Sequence, residues 1–387
     1  MTSYCIRANL LIDGSDAPPR ADPVIVIENG MIVRVECGGG ASSGDLSAHE
    51  FPLACVLPGL VDAHVHLVLG GDSSFSYDEF ATQSHRALRQ TGLINCAAHL
   101  LSGVTAVRDC GGRDDVLHAL RAEAGHPHMP SLLFSGRPVT RKRGHLACYG
   151  GGVESLDEIR EMVSGLISEG VDFIKVMASG GGEAGSPWEA AFSARELEVI
   201  VKDAHDAKRP VSAHCTCVES VENAVEAGVD VIDHAGFFAH GGVFAPSREV
   251  AGEIARRGIP VCPTASFGLP DGPVPADFKL KKNLTFLLES GVQVIGGSDA
   301  GSRGVHFGQV YREMEVMAAS GMRPLEIIRA WTSRAAGVCG LKDAGLVKEG
   351  YRADLVLVAG DPTTNIKDIR QVQAVVKNGV FLPRGGV

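Results

Sequence analysis

The stretch LPGLVDAHVHLVLGG (residues 57–71) is a short apolar run closed by two glycines, with His64 and His66 one residue apart inside it. Side chains alternate along a strand, so these two histidines share one face. Seven more runs of the same kind follow. They are GVTAVRDCGG (103–112), PSLLFSGRPV (130–139), VDFIKVMASGG (171–181), PVSAHCTC (210–217), VDVIDHAG (229–236), IPVCPTAS (259–266) and VQVIGGSDAG (292–301). Between most of them lie segments such as SLDEIREMVSGLISEG, SARELEVIVKDAHDAKR and SVENAVEAG, whose apolar residues recur at three and four and several of which begin at Ser, a good helix N-cap.

Continuous apolar strands alternating with amphipathic helices imply a parallel sheet buried on both faces. Eight such units are the count of a (β/α)8 TIM barrel, expected here over residues 58–346. An open doubly wound sheet is the alternative, but no G-x-G-x-x-G loop follows the first strand. Residues 1–57 and 347–387 break the rhythm and read as short strands. Neither flank has enough apolar surface to fold alone, so the two are expected to pair into one small β-sandwich domain.

Apolar residues make up 45% and charged residues 21% of the 387, enough for a large core. The net charge of −10 argues against nucleic acid or an anionic membrane as partner. No basic, then apolar leader opens the chain, and no segment reaches the length of a membrane span. The ten cysteines are scattered, and Cys215 and Cys217 lack the spacing of a metal-binding pair. Reduced thiols and a cytoplasmic location are the expectation.

In a barrel the reactive groups gather at the C-terminal ends of the strands. His64 and His66 end the first, Lys175 the fourth, His214 the fifth, His234 the sixth and Asp299 the eighth. Four imidazoles and a carboxylate suffice for a divalent ion such as zinc, manganese, iron or nickel. Lysine has no lone pair to offer as an ammonium. Set among apolar neighbours, Lys175 is expected to lose charge readily and to take up carbon dioxide as a carbamate, whose two oxygens can bridge two metals.

In this order, PGLVDAHVHL, IKVMASGG, AHC, DHAG and GSDAG resemble the amidohydrolase superfamily, and the tail LVKEGYRADLVLVAGDP is similar to its return into the β-domain. The resemblance covers nearly the whole chain and lies nearest the imidazolonepropionase-like and Xaa-Pro dipeptidase or carboxypeptidase-like branch. It implies two divalent metals, zinc foremost. His64, His66, carboxylated Lys175 and Asp299 would hold one; Lys175, His214 and His234 would hold the other. His145, in a Gly-His setting, resembles that branch's substrate-binding histidine.

The chemistry expected of such a centre is amide C–N hydrolysis by a metal-bridging hydroxide, with Asp299 moving the proton first as base and then as acid. Arg141-Lys142-Arg143 reads either as a solvated charge cluster or as a clamp on a substrate carboxylate, and Tyr149 and Arg303 are further candidates to touch substrate. Asp109 and Asp233 are candidate partners of the ligand histidines, though alternation sets Asp233 opposite His234. The glycines of GGGEAGSPWEAAFS suggest a mobile loop carrying Trp188 as an apolar wall.

The expected substrate is a small peptide-like or N-acyl amino acid amide, and a homo-oligomer is expected. Ring opening of an imidazolone-like heterocycle, or hydrolysis of a xenobiotic amide, urea or carbamate, is the alternative. A non-catalytic assembly protein on the same fold is disfavoured because every ligand type is present.

Overall fold

Strands from the two ends of the chain hydrogen-bond to each other in this computed structural model, which describes residues 3–38, 46–72, 82–123, 126, 128–180 and 186–383. Ala48–Pro58 runs parallel to Ser3–Leu11 on one side and antiparallel to Leu355–Ala359 on the other. With Val24–Glu28, Met31–Glu36, Val372–Lys377, Val380–Pro383 and the short Arg20–Ala21 they form one eight-stranded sheet. Ile6, Ile25, Ile27, Val56, Leu355, Leu357 and Val376 build its core. The chain leaves this sheet at Pro58 and enters Leu60–Val65 after one glycine, so the first histidine strand is anchored at its root.

Leu60–Val65, Val104–Asp109 and Ser131–Phe134 form a three-stranded parallel sheet. Ile174–Met177, Val211–His214, Val231–Asp233 and Val261–Cys262 form a four-stranded one, also parallel. Single parallel bridges join Val139 to Val176, Val261 to Val294 and Val65 to Ala300. Helices intervene as the periodicity predicts, and the fold is mixed α/β. Ser155 and Ser193 cap Leu156–Ser168 and Ala194–Asp206, the second with a reciprocal Glu196 bond. Ser220 does not begin its helix. Cys217 does, and Ser220 sits three residues in, its hydroxyl bonded to the Cys217 carbonyl.

Residues 292–301, expected as an eighth strand, contribute bridges rather than a continuous strand. Their backbone still ties both neighbours. Ile295 N–H donates to the Val261 carbonyl at 2.9 Å, Ala63 N–H to the Gly296 carbonyl at 3.1 Å and Asp299 N–H to the His64 carbonyl at 2.8 Å. A Cβ on Gly296 would lie 2.4 Å from Trp331, and one on Gly297 would lie 2.2 Å from the Cys262 sulfur and 3.0 Å from the His64 Cβ. The glycine pair therefore permits close approach, but it weakens regular strand geometry. Among the described residues no helix is long and apolar enough to cross a membrane.

Candidate metal centre

His64 lies within Leu60–Val65 and His66 directly follows it. His214 is the last residue of its strand, and His234 follows Val231–Asp233. Lys175 is the second residue of Ile174–Met177, deeper than the strand end expected for it. These residues converge. The ring centroids of His64 and His66 are 5.5 Å apart, His64 and His234 5.1 Å, His214 and His234 4.5 Å, and His145 and His214 4.9 Å. Asp299 Oδ1 is 3.4 Å from His66 Nε2 and 3.6 Å from His64 Nε2. All six predicted ligands and His145 line one cavity of about 410 Å³.

The rings are aimed by their outer nitrogens. His66 Nδ1 is 2.9 Å from the Gly111 carbonyl, which leaves Nε2 for the cavity. His234 Nδ1 is 2.6 Å from the Thr264 hydroxyl. Such partners fix tautomer and orientation of ligating imidazoles. Asp109 serves His66 through the backbone: it accepts from the N–H groups of Leu67 (2.7 Å) and Gly111 (3.0 Å).

Asp233 reaches a ligand histidine, but it is His64 and not its neighbour His234. The Asp233 carboxylate reaches the Lys175 ammonium, the Ser212 hydroxyl at 2.6 Å and His64 Nδ1 at 3.1 Å, so Lys175 is not surrounded by apolar groups alone. Alternation fails to describe this pair because His234 (φ +68°) and Ala235 (φ +46°) are left-handed. The turn re-aims His234 into the cavity that Asp233 underlies. Asp299 (φ +62°) and Thr264 (φ +45°) share this uncommon conformation. Such strained backbone clusters at functional sites.

Burial lowers the basicity of His64 and His214, and holds His145 near 4 and His234 near 3, against the usual 6.5. Burial also opposes a charge on His66, but Asp299 more than offsets it and raises the ring's pKa. Asp299 itself is held well below the usual carboxylate range: burial works against this, but His66, His64 and His234 prevail.

Neutral imidazoles beside an ionised carboxylate are the forms that bind a divalent cation. Among the described residues His214 Nε2 is buried with no hydrogen-bond partner, and a buried polar atom of that kind calls for a ligand. Donor atoms of His64, His234 and Asp299 lie within 4.8 Å of one another, as do those of His64, Cys110 and Asp233. Burial pushes the Cys110 thiol far up, which keeps it protonated and a poor ligand. The residues fit a metal centre, and the first set is the better nucleus for it.

The substrate-binding candidates separate. Arg303, with Ser302, lines the cavity at its exposed rim. Arg141 does not: its guanidinium lies over Phe192 and bonds the Ala191 carbonyl and the Glu196 carboxylate, each at 2.7 Å. Lys142 pairs with Glu158 at 2.9 Å, and Arg143 is exposed and absent from the lining. The run is a structural and solvated cluster, because the helix beginning at Ala194 presents the acid that Arg141 needs. Tyr149 is buried as the last residue of the 3-10 turn Ala147–Tyr149 and is not on the cavity wall. Trp188 is on the wall with Phe238, Phe267 and Leu280, whereas residues 181–185 of its glycine loop lie outside the described residues. Thr264 and the Gly111 carbonyl carry no sequence signal; only the folded chain brings them to the rings.

Known proteins share both sequence and shape with this chain. The profile of the amidohydrolase family matches residues 55–382. Ochratoxinase from Aspergillus niger is 29% identical over 96% of this chain and 84% of its own. Its crystal structure superposes with a TM-score of 0.82, covering 100% of this chain and 96% of that one at 26% identity. Imidazolonepropionase from Thermoplasma volcanium is 23% identical over 92% of this chain and 89% of its own. A Xaa-Pro dipeptidase structure with bound methionine matches 99% of this chain and 100% of that one, with a TM-score of 0.87 at 24% identity, a likeness of fold.

Proposed function

This chain belongs to the amidohydrolase family, and on that premise we propose that it is a two-metal hydrolase cleaving the amide C–N bond of a small peptide-like or N-acyl amino acid substrate. One observation carries the reading: five imidazoles, a lysine and a carboxylate line one cavity. The two parallel sheets and the bridges between them support a (β/α)8 barrel over residues 58–346. The eight-stranded sheet then corresponds to the small β-sandwich domain of residues 1–57 and 347–387.

His64, His66 and Asp299 would hold one zinc ion and His214 and His234 the other, with Lys175 joining both as its carbamate. Bound there, the ions supply Lewis acidity, polarising the substrate carbonyl and making water a nucleophile near neutral pH. Asp299 moves the proton. Its Oδ1 accepts from the Ser302 hydroxyl at 2.7 Å and faces both histidines, so Oδ2 takes the proton from the attacking water and returns it to the leaving nitrogen. Uncharged His145 donates a ring N–H to the carbonyl oxygen. Trp188, Phe238, Phe267 and Leu280 exclude water, and Arg303 at the rim meets a substrate carboxylate.

Arg303 at the rim, placed to meet a free carboxylate, supports a linear amide. The deciding assay offers zinc-loaded protein dipeptides and N-acyl amino acids, with free and amidated C-termini, beside lactams and imidazolones. Turnover of the linear set, weakened by amidation, is expected. Turnover of the cyclic set alone would replace this reading by ring opening.

A further inference from the structure

Glu313 is a fully buried acid that takes no part in the chemistry above. It lies on the helix Tyr311–Ala319, and among the described residues no cation pairs with its carboxylate. Instead Oε1 accepts the N–H of Ala265 at 2.6 Å and Oε2 the N–H of Ser266 at 2.5 Å. Those two residues directly follow Thr264, a β-branched residue held at φ +45° whose hydroxyl is 2.6 Å from His234 Nδ1. A β-branched residue at positive φ is a genuine outlier, and it persists only where its surroundings over-determine it.

We propose that Glu313 is a positioning residue for His234. By gripping two successive N–H groups it holds the Thr264 turn in its left-handed form and so fixes the hydroxyl that orients the ring. The idea rests on the two-metal reading for its purpose, but not for its geometry. Burying a carboxylate costs far more than burying the leucine or methionine that would fill the same space. What a leucine cannot do is accept from two adjacent backbone N–H groups, and charge-assisted bonds of this kind are the strong ones. Burial pushes the Glu313 carboxyl up to about 7, so the acid is kept against the preference of its surroundings. Glutamine at this position would present an amide NH2 to one of the two donors and release half of the grip.

The test uses the full chain carrying ring-labelled histidine, as wild type, Glu313→Gln, Thr264→Val, the double variant and Thr264→Ser. In metal-free protein, Glu313→Gln should shift the His234 ring resonances, assigned by their loss in His234→Asn. Zinc titration of the same set should show one of the two sites weakened roughly 10- to 100-fold, the usual effect of losing such a supporting partner. Glu313→Gln should weaken it no further once Thr264→Val is present, and Thr264→Ser, which keeps the hydroxyl, should match wild type. Unmoved His234 resonances in Glu313→Gln, additive losses in the double variant, or a zinc loss in Thr264→Ser would each overturn the proposal. Fewer than two zinc ions on wild type would instead overturn the two-metal reading, and the metal-free comparison would still decide the role of Glu313.

Discussion

The Lys175 ammonium and the Asp233 carboxylate face each other with both side chains wholly removed from solvent. Register sets Lys175 level with Ser212 and, one strand further, with Val231; Asp233 is two residues beyond Val231 on the same strand, an offset the long lysine side chain spans. Asp233 is a hub there, also accepting from Ser212 and meeting Arg108 at 3.4 Å. Under the proposed carbamate reading, metal loading would require Lys175 to exchange one anionic neighbour for a carboxylate of its own.

Lys175→Ala should act on stability and on metal separately. Removing one partner of a buried ion pair typically costs about 3–5 kcal/mol; Arg108 and Ser212 remain on Asp233, so the lower end is expected in urea denaturation of metal-free protein. Zinc content should fall below two and turnover should vanish. A short carboxylic acid in the carbamate's place should restore part of the turnover and none of the lost stability. Full activity without added acid would remove the carbamate.

Asp299→Asn should keep most of the zinc, because the histidines remain, yet lose roughly 10²- to 10⁴-fold in kcat, the range of a lost general acid–base. Paired metal analysis and kinetics check it. Retained kcat would take the proton transfer away from Asp299.

Arg303→Ala and Arg141→Ala should part company. The first should raise KM for a substrate with a free carboxylate about tenfold, some 1.4 kcal/mol, and leave the amidated substrate unchanged. The second should leave KM alone and lower stability by up to about 1 kcal/mol, since its pair with Glu196 is partly exposed. A KM effect confined to Arg141→Ala would return the basic run to the substrate.

Glu313 should also leave a mark on the pH dependence of stability. Its folded pKa of about 7 lies above the ordinary 4.5, because burial opposes the charge. The folded state then holds the proton more tightly than the unfolded one, so stability from this group is complete below pH 4.5 and erodes as pH rises toward 7. At 1.36 kcal/mol per pH unit the loss is about 3 kcal/mol. Glu313→Gln lacks the titrating group, so the difference between wild type and variant should change by that amount across the window in metal-free protein. A constant difference would refute it.

The histidines, the lysine and the aspartate were legible as candidates because each signal is local: an apolar run, a period of two, a glycine at the end. The family resemblance drawn from those motifs is shown by the profile match over residues 55–382. Arg141 stayed between two readings because a run of charge does not say which acid will face it, and Glu196 is 55 residues away. Asp233 stayed unassigned because alternation holds only in extended backbone, and the chain turns left-handed at His234.

By itself the sequence determined which residue types could meet a metal and the rhythm of strand and helix that places them, since periodicity and residue chemistry are properties of neighbours along the chain. Only the tertiary structure decided what stands behind each of them. Thr264 against His234, the Gly111 carbonyl against His66, and Glu313 beneath the Thr264 turn join residues 30 to 48 positions apart. Those contacts depend on how strands register and turns re-aim side chains, which a one-dimensional pattern does not contain.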